Sequence, residues 1–251
     1  VIEVERLRKV FNGRVAVDEI SFSVAAGQIF GLLGPNGAGK TTTISCLSGL
    51  LEPTSGSVRI NGFDVQKEAR RARASIGVVP QELAVYQEVS ATENLSYWGA
   101  IQGLSRSQLK KRIPEILDRV GLADRAREPV KKFSGGMLRR LNFAVGLIHE
   151  PQVLLLDEPT VGIDPQSRAR VLEIIRERAR AGVAVLYTTH YMGEAETLCD
   201  EFAIIDHGKV IAQGQLEELL RQAGDVIQRA TVPEPSLERL FIHLTGTELR
   251  E

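Results

Sequence analysis

The stretch that most limits what this chain can become is Gly34-Pro35-Asn36-Gly37-Ala38-Gly39-Lys40-Thr41. Glycines this dense beside a proline cannot hold a helix or a strand. The segment lies between an apolar run, 29–33, and a run that opens with Lys40-Thr41-Thr42. A strand must therefore end at Gly34, turn tightly and enter a helix. Glycine lets the backbone curl so that successive N–H groups point inward, and the following helix adds the positive end of its dipole. The product is a cradle for phosphate. Lys40 is placed to neutralise β- and γ-phosphates, the Thr41 hydroxyl is a hard oxygen suited to Mg²⁺, and Thr42 can donate to a neighbouring phosphate.

Composition narrows the setting in which such a loop works. A chain of 251 residues with 43% hydrophobic content can bury one large domain, or a core with a subdomain. Lys plus Arg, at 31, nearly balances Asp plus Glu, at 32, so no positive excess is available for a nucleic-acid backbone. The longest apolar runs are strand-sized and predict no membrane span. Cys46 and Cys199 are too few and too isolated for a disulfide framework or a metal site. No apolar signal segment stands at the start, and a reducing cytosol is the expected compartment.

Hydrophobic patterning supplies the organisation. Alternation in Ile2-Glu3-Val4-Glu5 and Ile20-Ser21-Phe22-Ser23-Val24 predicts early strands, and Ser57-Val58-Arg59-Ile60 before the turn pair Asn61-Gly62 predicts more β structure. Ile76-Gly77-Val78-Val79 reads as a further short strand leading to Gln81. From about residue 91 to 149 the character turns helical, with Leu109, Ile113, Ile116, Leu117 and Val120 at helical spacing. Buried-type strands return at 153–156 and 183–187 around a helix over 165–181, the alternation of a parallel sheet. Pro233 and Pro235 read as a linker, and Leu237, Leu240, Phe241 and Leu244 as a last helix capped by Ser236.

Two further motifs carry chemistry. Val153-Leu154-Leu155-Leu156-Asp157-Glu158 sets two carboxylates at the C-terminal edge of a buried strand, where α/β sheets bind ligands. Asp157 is suited to hold a Mg²⁺ hydration shell, and Glu158 to take a proton from a water in line with the γ-phosphate. Upstream, Phe133-Ser134-Gly135-Gly136-Met137 opens a helical run, 138–149. A hydroxyl and bare backbone N–H groups at a helix start make a second anion site.

With these three motifs in this order, the chain resembles the ABC ATPase family over roughly residues 1–220. The resemblance implies that Ser134, Gly135 and Gly136 close over the γ-phosphate held by the phosphate loop of another subunit, so that each ATP is bound between two chains. It also implies roles residue by residue. Gln81 matches the family's Gln loop, whose amide binds Mg²⁺ or the attacking water. Asp164 matches the loop that runs along the dimer interface and couples the two sites. His190 matches the switch histidine that contacts the γ-phosphate and supports Glu158. Phe11 matches an aromatic residue that stacks on adenine, with a plain core position as its other reading. Met137 and Phe133 depart from the family's usual Gln and Leu. The Met form, followed by Leu138-Arg139-Arg140-Leu141, and the segment 235–246 resemble the branch that serves exporters of drugs, ions, lipids or polysaccharides.

The expected fold is α/β: a P-loop NTPase core of ABC ATPase type with an antiparallel β layer and an inserted helical subdomain. The expected division is a core over 1–81 and 151–225, the helical subdomain over 82–150 and a C-terminal appendage over 226–251. The expected function is ATP hydrolysis that powers an exporter through ATP-dependent dimerisation, with ATP and Mg²⁺ as cofactors. The expected partners are a second ATP-binding subunit, as homodimer or heterodimer, and separate permease subunits that hold the chain on the inner face of the membrane; nucleic acid is not among them. The alternatives are a soluble ABC ATPase acting on chromosomes, repair intermediates or ribosomes, and the motor of an importer. Against the soluble reading, the chain carries neither long heptad arms nor a second cassette. A P-loop kinase or GTPase leaves Ser134-Gly135-Gly136 unexplained. Arg168, Arg170, Arg176, Arg178 and Arg180 read as a solvated helix face, and His149, His207 and His243 lack ligand spacing. Tyr86, Tyr97 and Trp98 fall where the family meets its membrane partner, with burial in the helical region as the other reading.

Overall fold

A computed structural model of the chain describes residues 1–227 and 237–245; the expected linker at Pro233 and Pro235 and the Ser236 cap lie outside the described residues. Strands β1 (Ile2–Phe11) and β2 (Arg14–Val24) pair antiparallel, from Ile2 opposite Val24 to Phe11 opposite Arg14. Alternation buries Ile2 and Val4, and an irregularity around Arg6, at φ 43°, then switches the phase so that Leu7 points inward. Next come β3 (Ile29–Leu33), buried at all five positions, the glycine-rich loop and α1 (Lys40–Leu47). β4 (Ser55–Ile60) returns beside β1, and Asn61 and Gly62, both at positive φ, turn the chain into β5 (Phe63–Asp64). These four strands form an antiparallel layer ordered β2-β1-β4-β5.

A short helix, α2 (Ala69–Ala74), follows; with only Ala72 buried among three arginines, it carries no apolar periodicity to read. β6 (Ile76–Val79) joins the parallel sheet instead of the β layer. The helical stretch comprises α3 (Ala91–Ile101), α4 (Arg106–Arg119) and α5 (Gly135–Leu147). Ser90 with Glu93 and Ser105 with Gln108 close two capping boxes, which fix where α3 and α4 begin. The expected face of α4 is buried at Leu109, Ile113, Ile116 and Leu117. α5 lies so close on β6 that a Cβ at Gly77 would overlap the Gly146 carbonyl oxygen.

The chain continues through β7 (Val153–Asp157), α6 (Pro165–Arg180), β8 (Ala184–Thr189), α7 (Met192–Leu198), β9 (Glu201–Asp206) and β10 (Lys209–Gly214). The second sheet is ordered β10-β9-β3-β8-β7-β6, parallel except for β10. Phe22 of the β layer stacks on Phe30 of this sheet with centroids 5.0 Å apart, inside one core shared by the two layers. α8 (Leu216–Ile227) and α9 (Leu237–Thr245) end the described chain. Leu237, Leu240 and Phe241 are buried with Leu33, Phe202 and Leu219, and the Leu237 N–H donates to the Glu196 carboxylate at 2.7 Å. The fold is α/β, with the expected antiparallel layer and with helices α3 to α5 inserted between β6 and β7. Because β3, β7 and β8 run in one direction, the segments after them emerge at one edge of the sheet.

Candidate nucleotide site

Gly39 caps α1 at φ 112°, and a Cβ there would come 2.5 Å from the Ala16 carbonyl oxygen. Only glycine fits that position. Lys40, the first residue of α1, is 5% exposed. Its Nζ donates to the carbonyl oxygens of Gly34 and Pro35 at 2.7 and 3.1 Å and pairs with Glu158 Oε1 at 3.1 Å. Within the same loop Pro35 and Ala38 are buried, Asn36 and Gly37 are exposed, and the side chains of Thr41 and Thr42 are accessible. A cleft of about 640 Å³ opens over the loop, with Phe11, Thr41, Thr42, Gln81 and Glu158 in its wall. That is the size range of a small-molecule site.

Asp157 ends β7 and Glu158 follows it; both are almost fully buried. Thr188 joins the two: its hydroxyl donates to Asp157 Oδ1 at 2.8 Å and accepts the Glu158 N–H at 3.1 Å. Glu158 holds φ 47°, uncommon for a side chain of this size, and its carboxylate meets Lys40 on one side and His190 on the other. His190 Nδ1 stands 3.2 Å from Glu158 Oε2 but off the line of a hydrogen bond, and that nitrogen has no other partner. The histidine is close to the carboxylate without being bonded to it.

Phe11 is 42% exposed at the rim of the cleft, with the Lys9 ammonium 4.9 Å from its ring centroid, so it is not a core residue. Gln81 lines the cleft, and its backbone carbonyl accepts Arg139 Nη1 at 2.7 Å. Four expected site residues stand elsewhere. Asp164 is the N-cap of α6, where it accepts the Ser167 N–H at 2.9 Å; bonding to Ser167 holds its carboxyl below the usual range. Ser134 is the N-cap of α5, accepting the Met137 N–H at 3.3 Å. Ser134 and Gly135 are exposed and Gly136 is buried, and none of these four residues lines the cleft.

Thr188, Arg139 and Asn142 contribute contacts that sequence reasoning did not pick out. Two threonines ending an otherwise apolar buried strand were the available signal for Thr188. Arg139, beside Arg140, and Asn142, between Leu141 and Phe143, follow no local pattern on α5, and only their burial marks them. For Mg²⁺, the side chains of Thr41, Gln81 and Asp157 offer hydroxyl, amide and carboxylate oxygens. Among the described residues no group of three His, Cys, Asp or Glu could hold a metal by itself. An incomplete, oxygen-only set fits a Mg²⁺ that keeps waters and phosphates as its other ligands, and does not fit zinc.

The family model described as "ABC transporter" matches residues 17–161. The chain is 47% identical over 233 residues to the linearmycin resistance ATP-binding protein LnrL of Bacillus subtilis, covering 92% of this chain and 75% of that one. It is 46% identical over 246 residues to the Nod factor export ATP-binding protein I of Ralstonia nicotianae, covering 97% and 77%. Among solved structures it is similar to an ATP-binding subunit of an ABC transporter, with a TM-score of 0.86 and 31% identity over 98% of this chain and 99% of that one.

Proposed function

The chain belongs to the ABC transporter family, and from that premise we propose that it is the ATP-hydrolysing motor of an exporter, working as paired copies on a separate permease. One observation carries the pairing. Ser134 and Gly135 form an exposed helix start suited to phosphate, yet they lie outside the cleft that holds Lys40 and Glu158. A second copy, turned head to tail, brings that helix start over the cleft and completes two equivalent sites. Relatives that confer drug resistance or export Nod factors support the exporter reading over an importer.

In this reading the loop 34–39 and the start of α1 cradle the phosphates, and Phe11 stacks on the adenine. The β- and γ-phosphates replace Glu158 and the two loop carbonyls as partners of Lys40, so the buried ammonium is never left unpaired. Glu158, released from Lys40, accepts a proton from the attacking water while His190 turns into line with it. Thr41, Gln81 and Asp157 would hold Mg²⁺, which supplies charge neutralisation at the phosphate oxygens when bound. Ser134, Gly135 and Gly136 act on the nucleotide of the opposite copy, and Asp164 lies along the interface. ATP draws the copies together and hydrolysis releases them, which is the motion a permease can use.

The division into a core over 1–81 and 151–225, a helical subdomain over 82–150 and a C-terminal segment over 226–251 belongs to the same proposal. Tyr86 and Tyr97 are about half exposed and pack edge to face beside Trp98, close in sequence to the Gln81 loop. They offer the permease an aromatic face, and the permease holds the chain on the inner side of the membrane. Among the described residues no helix is long and apolar enough to cross a membrane.

The test is a tagged chain recovered from membranes in detergent, with its companions identified and ATP hydrolysis compared with that of Glu158→Gln. A polytopic membrane protein as companion, with activity lost in the variant, is the expected result. Recovery of ribosomes or DNA would keep the ATPase and refute the transport reading.

A further inference from the structure

We propose that α5 is a relay, with Arg139 and Asn142 as positioning residues: its tip engages the nucleotide of the opposite copy while one face grips this chain's own Gln81 and Asp164 loops. The inference rests on the paired-copy reading above.

The two glycines at the tip have different surroundings. A Cβ on Gly135 would meet nothing within 4 Å. A Cβ on Gly136 would overlap Ser167 Oγ and stand 2.5 Å from Asp164 Oδ2. Gly135 is therefore bare towards solvent, where another copy can approach, and Gly136 is bare towards the chain's own α6 cap.

Three residues further along α5, Arg139 is 9% exposed. Its Nη1 donates to the Gln81 carbonyl at 2.7 Å and its Nη2 reaches the Val161 carbonyl at 3.4 Å, so one guanidinium spans the loop after β6 and the loop between Glu158 and Asp164. Burial lowers the Arg139 pKa and the nearby Glu158 carboxylate opposes the shift. Three residues on again, Asn142 is 1% exposed; its Oδ1 accepts the Ala84 N–H at 2.8 Å and its Nδ2 donates to the Pro80 carbonyl at 3.2 Å. At Gly146, a Cβ would press on the Val79 side chain at 2.7 Å.

Spacings of three, three and four place Gly136, Arg139, Asn142 and Gly146 on one side of the helix. That side is fixed to β6, to the Gln81 loop and to the start of α6. Packing alone needs no buried guanidinium there, since burying a charge is costly unless it is bonded. A helix held at both loops moves as one body. When its tip is drawn towards the opposite nucleotide, the Gln81 and Val161 carbonyls travel with it, and each site senses whether the other is filled.

The test separates engagement from hydrolysis in the full chain. Arg139→Met is made alone and in a Glu158→Gln background, with ATP binding read by a fluorescent ATP analogue and dimerisation by light scattering. Expected are unchanged ATP binding, a kcat lowered about 100-fold, as for a catalytic group displaced by an ångström, and ATP-driven dimerisation that persists in the double variant. Arg139→Lys should recover part of kcat, because an ammonium reaches one carbonyl but cannot span two loops. Asn142→Leu, which keeps the branching of the side chain and removes its polar atoms, should show the same split and serves if Arg139→Met folds poorly. A wild-type kcat in Arg139→Met, or loss of dimerisation in the double variant alone, overturns the relay. Failure of Glu158→Gln itself to dimerise would instead bring down the paired-copy reading, and the relay with it.

Discussion

Lys40 and Ser134 each mark the start of a helix that can face phosphate, and the chain treats the two starts in opposite ways. At Lys40 the charge itself is enclosed: the ammonium is 5% exposed, bonded to two carbonyls and paired with a buried Glu158. Around Ser134 the hydroxyl accepts only its own helix N–H, and it and Gly135 face solvent. The first site holds its charges ready for exchange with a nucleotide. The second, on the reading proposed above, takes an anion that this chain's own cleft cannot bring to it. That contrast is what the proposed pairing with a second copy accounts for.

Several substitutions can break or sharpen that contrast. The largest effect is expected at the enclosed site, where Glu158→Gln should keep ATP binding yet slow turnover by about 10²–10⁴-fold, the range of a general base; a steady-state assay with a parallel binding titration decides it. At the open site the two glycines should part company. Gly136→Ala forces a methyl against Ser167 and Asp164 and should cost about 1–3 kcal/mol, as overpacking does, whereas Gly135→Ala should leave thermal stability intact. Melting curves of the two variants side by side make the comparison. Ser134→Ala removes a cap and should cost about 1 kcal/mol, measured by denaturant unfolding.

The smallest effect lies away from both sites. Burial holds His149 below its ordinary value of 6.5 while its Nε2 bonds the Ile76 carbonyl at 3.0 Å. The unfolded chain therefore takes up a proton that the folded chain refuses, so stability should fall as pH drops through 6.5 and level off below the folded value. Unfolding titrations across that range should show a flatter profile for His149→Gln.

The enclosed site was far more legible in the sequence than the open one. Glycine spacing and Lys40 dictate strand, turn and helix locally, and the run ending in Asp157-Glu158 declares a strand edge without reference to anything distant. Local alternation failed where the backbone departs from regularity: the phase switch near Arg6 hides the second half of β1, and the arginines of α2 mask a helix whose only buried residue is Ala72. β6 reads as a strand but nothing local says which sheet it joins. Around Ser134 the motif was visible and its surroundings were not. Gly135 and Gly136 look alike in sequence, and only the fold, by bringing α6 against one of them, separates a glycine with open space beside it from a glycine that close packing requires. Arg139 escaped for the same reason, since its carbonyl partners lie 58 and 22 residues away.

The most direct measurement of the central claim is the mass of Glu158→Gln in solution with ATP, by light scattering, with and without Gly135→Asp. The expected result is a particle of twice the 27.5 kDa chain when ATP is present, and a monomer once a carboxylate stands where the opposite γ-phosphate must sit. A monomer in ATP without the second substitution, or a dimer indifferent to Asp at position 135, would contradict it.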